Sequence, residues 1–194
     1  METHRQRQPA VETAQDAETP SDVALALAQA ESAGHPMGTV GAWVRDFSLF
    51  GLTAGLVFGG ALSATLPDLE GAAAMVAVVI MTSILMGVQG CLAGLASGTL
   101  LRGLRGRVPA AVGLAVAVVG AWFATSLIPM AWGNFPSLDG TLRGLPLTLA
   151  VTALIPFTAV LRSRGRNTLG WILGTGVGVG ALLAPWAWLV KSLI

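Results

Sequence analysis

Within the long apolar stretches of this 194-residue chain, very few side chains could do chemistry. Gln89 is the one amide among them, and Thr148, Thr152 and Pro156 form a second polar point. An amide in hydrocarbon is costly unless paired, so Gln89 is expected to face another helix or water. Pro156 lacks an N–H and crowds the carbonyl of Thr152 one turn earlier, which predicts a kink. Thr148 and Thr152, four residues apart, share a helical face. Gln89, Thr152 and Pro156 are therefore the candidates for a gating or solute-binding step, with plain hydrogen bonding between helices as the simpler role.

Other chemistries lack their residues. His4 and His35 both fall in the first 35 positions, far from any apolar run, so no axial histidine pair for haem and no zinc cluster is expected. No Asp, Glu, Arg or His lies centrally in an apolar stretch, and Lys191 is close enough to the end to snorkel to the surface. Ionisable groups within the membrane mark ion paths and proton relays, so a self-contained pump is not expected. There is no phosphate-binding GxxxxGK[ST] loop and no serine with a nearby base. The expectation is a protein that is not an enzyme and holds no cofactor or metal. Cys91, the lone cysteine, reads as a small apolar filler.

Glycine spacing is the most distinctive feature of the apolar stretches. Gly51, Gly55 and Gly59 recur every four residues, as do Gly90, Gly94 and Gly98, and again Gly170, Gly174 and Gly178. Helices in lipid associate through close backbone approach and dispersion, so such rows predict packing faces within one bundle or between subunits. Gly94→Leu and Gly174→Leu are both expected to damage assembly. Gly176 and Gly180 add a second row to the last stretch.

Two arginine triads complete the set: Arg102, Arg105 and Arg107, then Arg162, Arg164 and Arg166, neither accompanied by an acid. They could contact anionic lipid headgroups or an acidic partner. The positive-inside rule explains them equally well.

The elements that position these residues follow from composition. With 54% hydrophobic and 11% charged residues, the chain belongs to the membrane class. Seven of its ten acids lie in the first 46 residues, so the net charge of +1 describes no actual surface and gives no reason to expect nucleic-acid binding. The fold class expected is an all-α integral membrane bundle of about five spans, at about 47–66, 72–101, 108–132, 145–161 and 169–192. Residues 1–46 form an acidic tail, expected to be disordered at first, with a short helix from Ser21 to Gly34. The stretch with Val40, Trp43, Val44 and Phe47 is expected to lie along the inner interface, Arg45 and Asp46 pointing away from its apolar side.

Both arginine triads fall in short loops on the tail's side of the bilayer, which places the N-terminus in the cytoplasm and the C-terminus outside. Trp43 and Trp171 then sit at the inner boundary and Trp122, Trp132, Trp186 and Trp188 toward the outer one. Arg105-Gly106-Arg107 opens a span ending Pro129-Met130-Ala131-Trp132, and Arg164-Gly165-Arg166 opens one ending Pro185-Trp186-Ala187-Trp188. This pattern suggests two parallel copies of one hairpin. Ten arginines against one lysine, with abundant Ala and Gly, point to a bacterial inner membrane.

The functional expectation is a non-catalytic integral subunit or scaffold of a larger membrane complex. Its partners would be the bilayer, other membrane subunits or a second copy, and a cytoplasmic protein docking on the tail. The alternative is a permease or channel for a small neutral or lipidic solute.

Overall fold

A computed structural model describes residues 38–65, 71–131, 137–164 and 166–193. The described residues form helices and connecting turns, without strands. The helices are α1 (Val40–Thr65), α2 (Ala72–Leu104), α3 (Ala110–Ala131), the short α4 (Leu138–Arg143), α5 (Leu145–Ser163) and α6 (Leu169–Leu193). All but α4 are long and apolar enough to cross a membrane. The proposed tail helix at Ser21–Gly34 and Trp132 lie outside the described residues.

α1 is the central element. Thr39 caps its start, its hydroxyl accepting from the backbone N–H of Ala42 at 3.2 Å. The helix then runs unbroken, so Val40–Phe47 forms the first two turns of the same helix as the apolar run that follows. Trp43, Phe47 and Phe50 are fully buried, which corrects the expectation of an interfacial Trp43. Buried positions recur along α1 at three- and four-residue spacing, through Ala54, Gly55 and Gly59 to Ser63, where neighbouring helices cover it.

α2 returns antiparallel to α1 with its glycines against the α1 backbone. Gly90 meets Phe47, Gly94 meets Trp43 and Val44, and Gly98 meets Trp43 and Val40. In the reverse direction Gly51 meets Met86 and Gly87, Gly55 meets Ser83, and Gly59 meets Val79 and Thr82. A methyl group added at Gly55 would lie 2.6 Å from the Cα of Ser83, and one at Gly94 2.5 Å from the carbonyl oxygen of Trp43. Neither separation is sterically possible, so absence of a side chain sets the helix spacing. Thr82 ties the pair by donating to the carbonyl of Gly55 at 3.2 Å.

α6 packs on α1 in parallel, but through the second of its glycine rows. Gly176 abuts Phe50 and Thr53, and Gly180 abuts Ala54 and Val57. At Gly170, Gly174 and Gly178 an added Cβ would meet nothing within 4 Å among the described residues. The expected steric damage from Gly174→Leu therefore has no basis among the described residues, from which that row faces outward. Four-residue spacing recurs twice in this helix, and periodicity alone does not say which row turns inward.

The remaining helices are peripheral. α3 lies against α2 and touches α5, while α5 leans on α3 and α6. Both α5 and α6 remain helical through their internal prolines, Pro156 and Pro185. α4 folds over one end of the bundle, where Ser137 caps it and Trp186 of α6 donates its indole N–H to the carbonyl of Leu142 at 2.6 Å. The two suggested hairpin copies play unequal roles, since α6 is backbone-close to the central helix and α3 is not.

Candidate functional site

Two polar places stand out, one at the end of the bundle where α1 begins and one among the helices. At the first, the carboxylate of Asp46 is fully buried. It follows Trp43 by three residues and precedes Phe50 by four, so helical geometry puts all three on the covered face. This overturns the expectation that Asp46 points away with Arg45. One carboxylate oxygen accepts from Arg45 Nε at 2.9 Å and from its terminal nitrogen at 2.8 Å. The other accepts from Arg162 and from the hydroxyl of Thr168 at 2.8 Å.

Arg162 reaches this position because it occupies the last turn of α5. Its guanidinium lies 4.7 Å from the centre of the Trp43 ring, a cation–π arrangement, and its side chain is only 9% exposed. Gly38 closes the other side with φ +80°, and a methyl group there would lie 2.6 Å from the guanidinium. A side chain at that position would be both strained and in collision. Arg162 is thus an internal ligand of Asp46, separated from the rest of its triad. Arg164 and Arg166 are exposed, as are Arg102, Arg105 and Arg107 across the same end of the molecule.

Both oxygens of Asp46 are bonded by charged or hydroxyl donors, a condition under which a buried charge is tolerated. The cluster joins α1 to the α5–α6 turn across more than 110 residues of sequence. Asn167 completes that turn, its side-chain oxygen accepting from the N–H of Leu169 at 3.0 Å at the start of α6. Sequence reasoning did not find Asp46 and Thr168 as site residues. The available signal was the Trp43, Asp46, Phe50 spacing, which places a carboxylate on an aromatic face.

Beside the cluster, a pocket of about 210 Å³ opens between the start of α1 and the end of α2. Gly38, Thr39, Trp43, Gly98, Leu101, Arg102 and Arg105 line it.

The second place is a crevice of about 50 Å³ where α1, α2, α3 and α5 meet. Gln89, Thr125, Thr148 and Thr152 supply its polar lining, with Phe50, Met86, Val118 and Trp122 among the apolar groups. The structure thus brings Gln89 and Thr152 together, with Thr148, as parts of one surface. Pro156 does not line it. Each threonine hydroxyl donates to its own helix backbone: Thr125 to Trp122, Thr148 to Gly144 and Thr152 to Thr148. Their lone pairs remain available as acceptors. Because Pro156 has no N–H, the carbonyl of Thr152 lacks its usual helical donor. On the buried side of α5, Thr158 follows Leu154 by one turn, and its Oγ1 is without a hydrogen-bond partner among the described residues.

No protein-family model, no curated protein and no solved structure matches this chain. Its function must follow from these two places and from the packing around them. Among the described residues, no group of three or more His, Cys, Asp or Glu side chains comes together in a way that could hold a metal ion.

Proposed function

We propose that this chain is a non-catalytic integral subunit or scaffold of a larger complex in a bacterial inner membrane, with its N-terminus cytoplasmic and its C-terminus outside. The observation that carries the reading is the α1–α2–α6 core. Its glycines hold helices at backbone contact, and its buried carboxylate is engaged entirely by side chains of the same chain. Features of this kind fix helices relative to one another. Six exposed arginines, Arg45, Arg102, Arg105, Arg107, Arg164 and Arg166, gather at the end where α1 begins, which under the positive-inside rule is the cytoplasmic end; Arg143, at the other end, is paired with Asp139. The outward glycine row on α6, Gly170, Gly174 and Gly178, next to the exposed Trp171, supplies a lipid-facing surface on which another helix could approach closely.

Purification in mild detergent, followed by mass spectrometry of co-purifying chains, tests this directly. Stoichiometric membrane partners are expected. A chain that purifies alone and moves solute in liposomes would sink the proposal.

That contrary outcome would favour a permease for a small neutral or lipidic solute. The crevice is the specific support for this second reading, since it unites the one intramembrane amide with threonine acceptors beside Trp122.

A further inference from the structure

The crevice where α1, α2, α3 and α5 meet carries the groups to hold a ligand of one chemical kind. We propose that it binds the terminal hydroxyl of a single-chain neutral lipid alcohol, which enters sideways from the bilayer. This deepens the solute reading, on whose crevice it rests, by naming the ligand class. It requires binding only, so its test is separate from whether the chain moves solute or purifies with partners.

Depth sets the first condition. Gln89 lies 17 residues from the start of α2 and 15 from its end, about 25 Å and 22 Å along the helix. A span of that length crossing about 30 Å of hydrocarbon puts Gln89 near the middle of the layer. None of the residues lining the crevice is charged. A phosphate, carboxylate or ammonium would arrive there without a counter-ion, so the occupant is neutral.

Donors and acceptors set the second. The hydroxyls of Thr125, Thr148 and Thr152 give their protons to their own helices, at 2.9, 3.1 and 2.8 Å, and present only lone pairs to the crevice. Gln89 presents two N–H donors and a carbonyl, and its amide has no hydrogen-bond partner among the described residues. An ether, ester or ketone would accept from Gln89 and leave the threonine oxygens unused. A hydroxyl accepts from the amide and donates to an oxygen, so it engages both sets at once.

Size and access set the third. A volume of about 50 Å³ has room for roughly three or four water-sized groups, which admits a hydroxymethyl and excludes a sugar, a ring or a branched glyceride. Phe50, Gly51, Gly90 and Ala93, all buried, form the floor. The rims, Trp122 on α3 and Thr152 on α5, are exposed, and at this depth an exposed rim faces acyl chains. Met86, Val118 and Val151 give the first methylenes of the ligand an apolar wall.

The test uses the purified full chain in phosphatidylcholine nanodiscs with hexadecanol carrying a diazirine close to its hydroxyl, and maps the labelled peptides by mass spectrometry. Labelling is expected on crevice residues of α2, α3 and α5, falling about fivefold with excess unlabelled hexadecanol and unchanged by methyl hexadecanoate or a diacylglycerol. Gln89→Leu is expected to lower it about fivefold. Thr152→Val, which keeps the side-chain shape and removes an acceptor, is expected to lower it with the thermal midpoint unchanged, a result that separates lost binding from lost fold. Labelling spread along the lipid-facing surface and indifferent to both substitutions would overturn the proposal. Equal competition by the ester or the glyceride would overturn it too, because the crevice would then select an apolar chain and not a hydroxyl.

Discussion

Asp46 is the residue whose loss should be felt most. Removing one partner of a buried ion pair leaves the other charge uncompensated, at a cost of about 3–5 kcal/mol. Asp46→Ala would remove the buried carboxylate from Arg162 beside Trp43 and Gly38, and would also release the Thr168 hydroxyl. Its unfolding midpoint in a mixed-micelle denaturant titration should fall sharply. The Asp46→Asn/Arg162→Gln pair, which removes both charges and keeps polar groups, should recover much of that loss. Additive penalties in this cycle would mean that the two side chains do not depend on each other. At this scale the sequence was only partly legible. The glycines of α1 and α2 were found from spacing because a missing side chain has one use in a tight helix pair. Arg162 could not be told from Arg164 and Arg166 by type, because only the place where α5 ends decides which of them turns inward.

Helix by helix, the glycines divide into those that are sealed and those that are open. Leucine at Gly94 or Gly180 would have to displace backbone atoms, since a Cβ alone would lie 2.5 Å from a carbonyl oxygen of α1 in each case. Overpacking of this kind costs about 1–3 kcal/mol, and more where backbone must shift. Gly94→Leu and Gly180→Leu should therefore lower the thermal midpoint of the purified chain, whereas Gly174→Leu should leave it unchanged. If Gly174→Leu alters anything, it should be the co-purifying partners, readable by the same mass spectrometry that tests the scaffold. A destabilised Gly174→Leu monomer would show that this face is covered within the chain. The five long helices were legible, because apolar runs of that length leave little alternative, whereas the short α4 was not. Which face each helix buries was not, as hydrophobic periodicity fades when lipid and protein are both apolar.

For the molecule as a whole, the geometry gathers the start of α1, the α2–α3 turn and the α5–α6 turn at one end, as an alternation of five long helices requires. A periplasm-active reporter fused after Ile194 should be active and a cytoplasm-active one silent. The reverse result would remove one crossing, with α5 the first suspect, since it has 19 residues and an internal proline. The all-helical class and the number of helices long and apolar enough to cross a membrane could be read from hydropathy. The cluster that binds the first helix to the last pair could not, because its members are far apart in sequence and only the packed bundle makes them neighbours.

That distance has a consequence in time. Asp46 is synthesised 116 residues before Arg162. At ribosomal speeds of about 5–20 residues per second, on the order of ten seconds pass before its main counter-ion exists. During that interval α1 and α2 can already zip together, with Arg45 as the one adjacent cation to hold the carboxylate. Arrival of the α5–α6 turn then completes the site, so the clamp closes only on a chain whose later helices have packed beside α1.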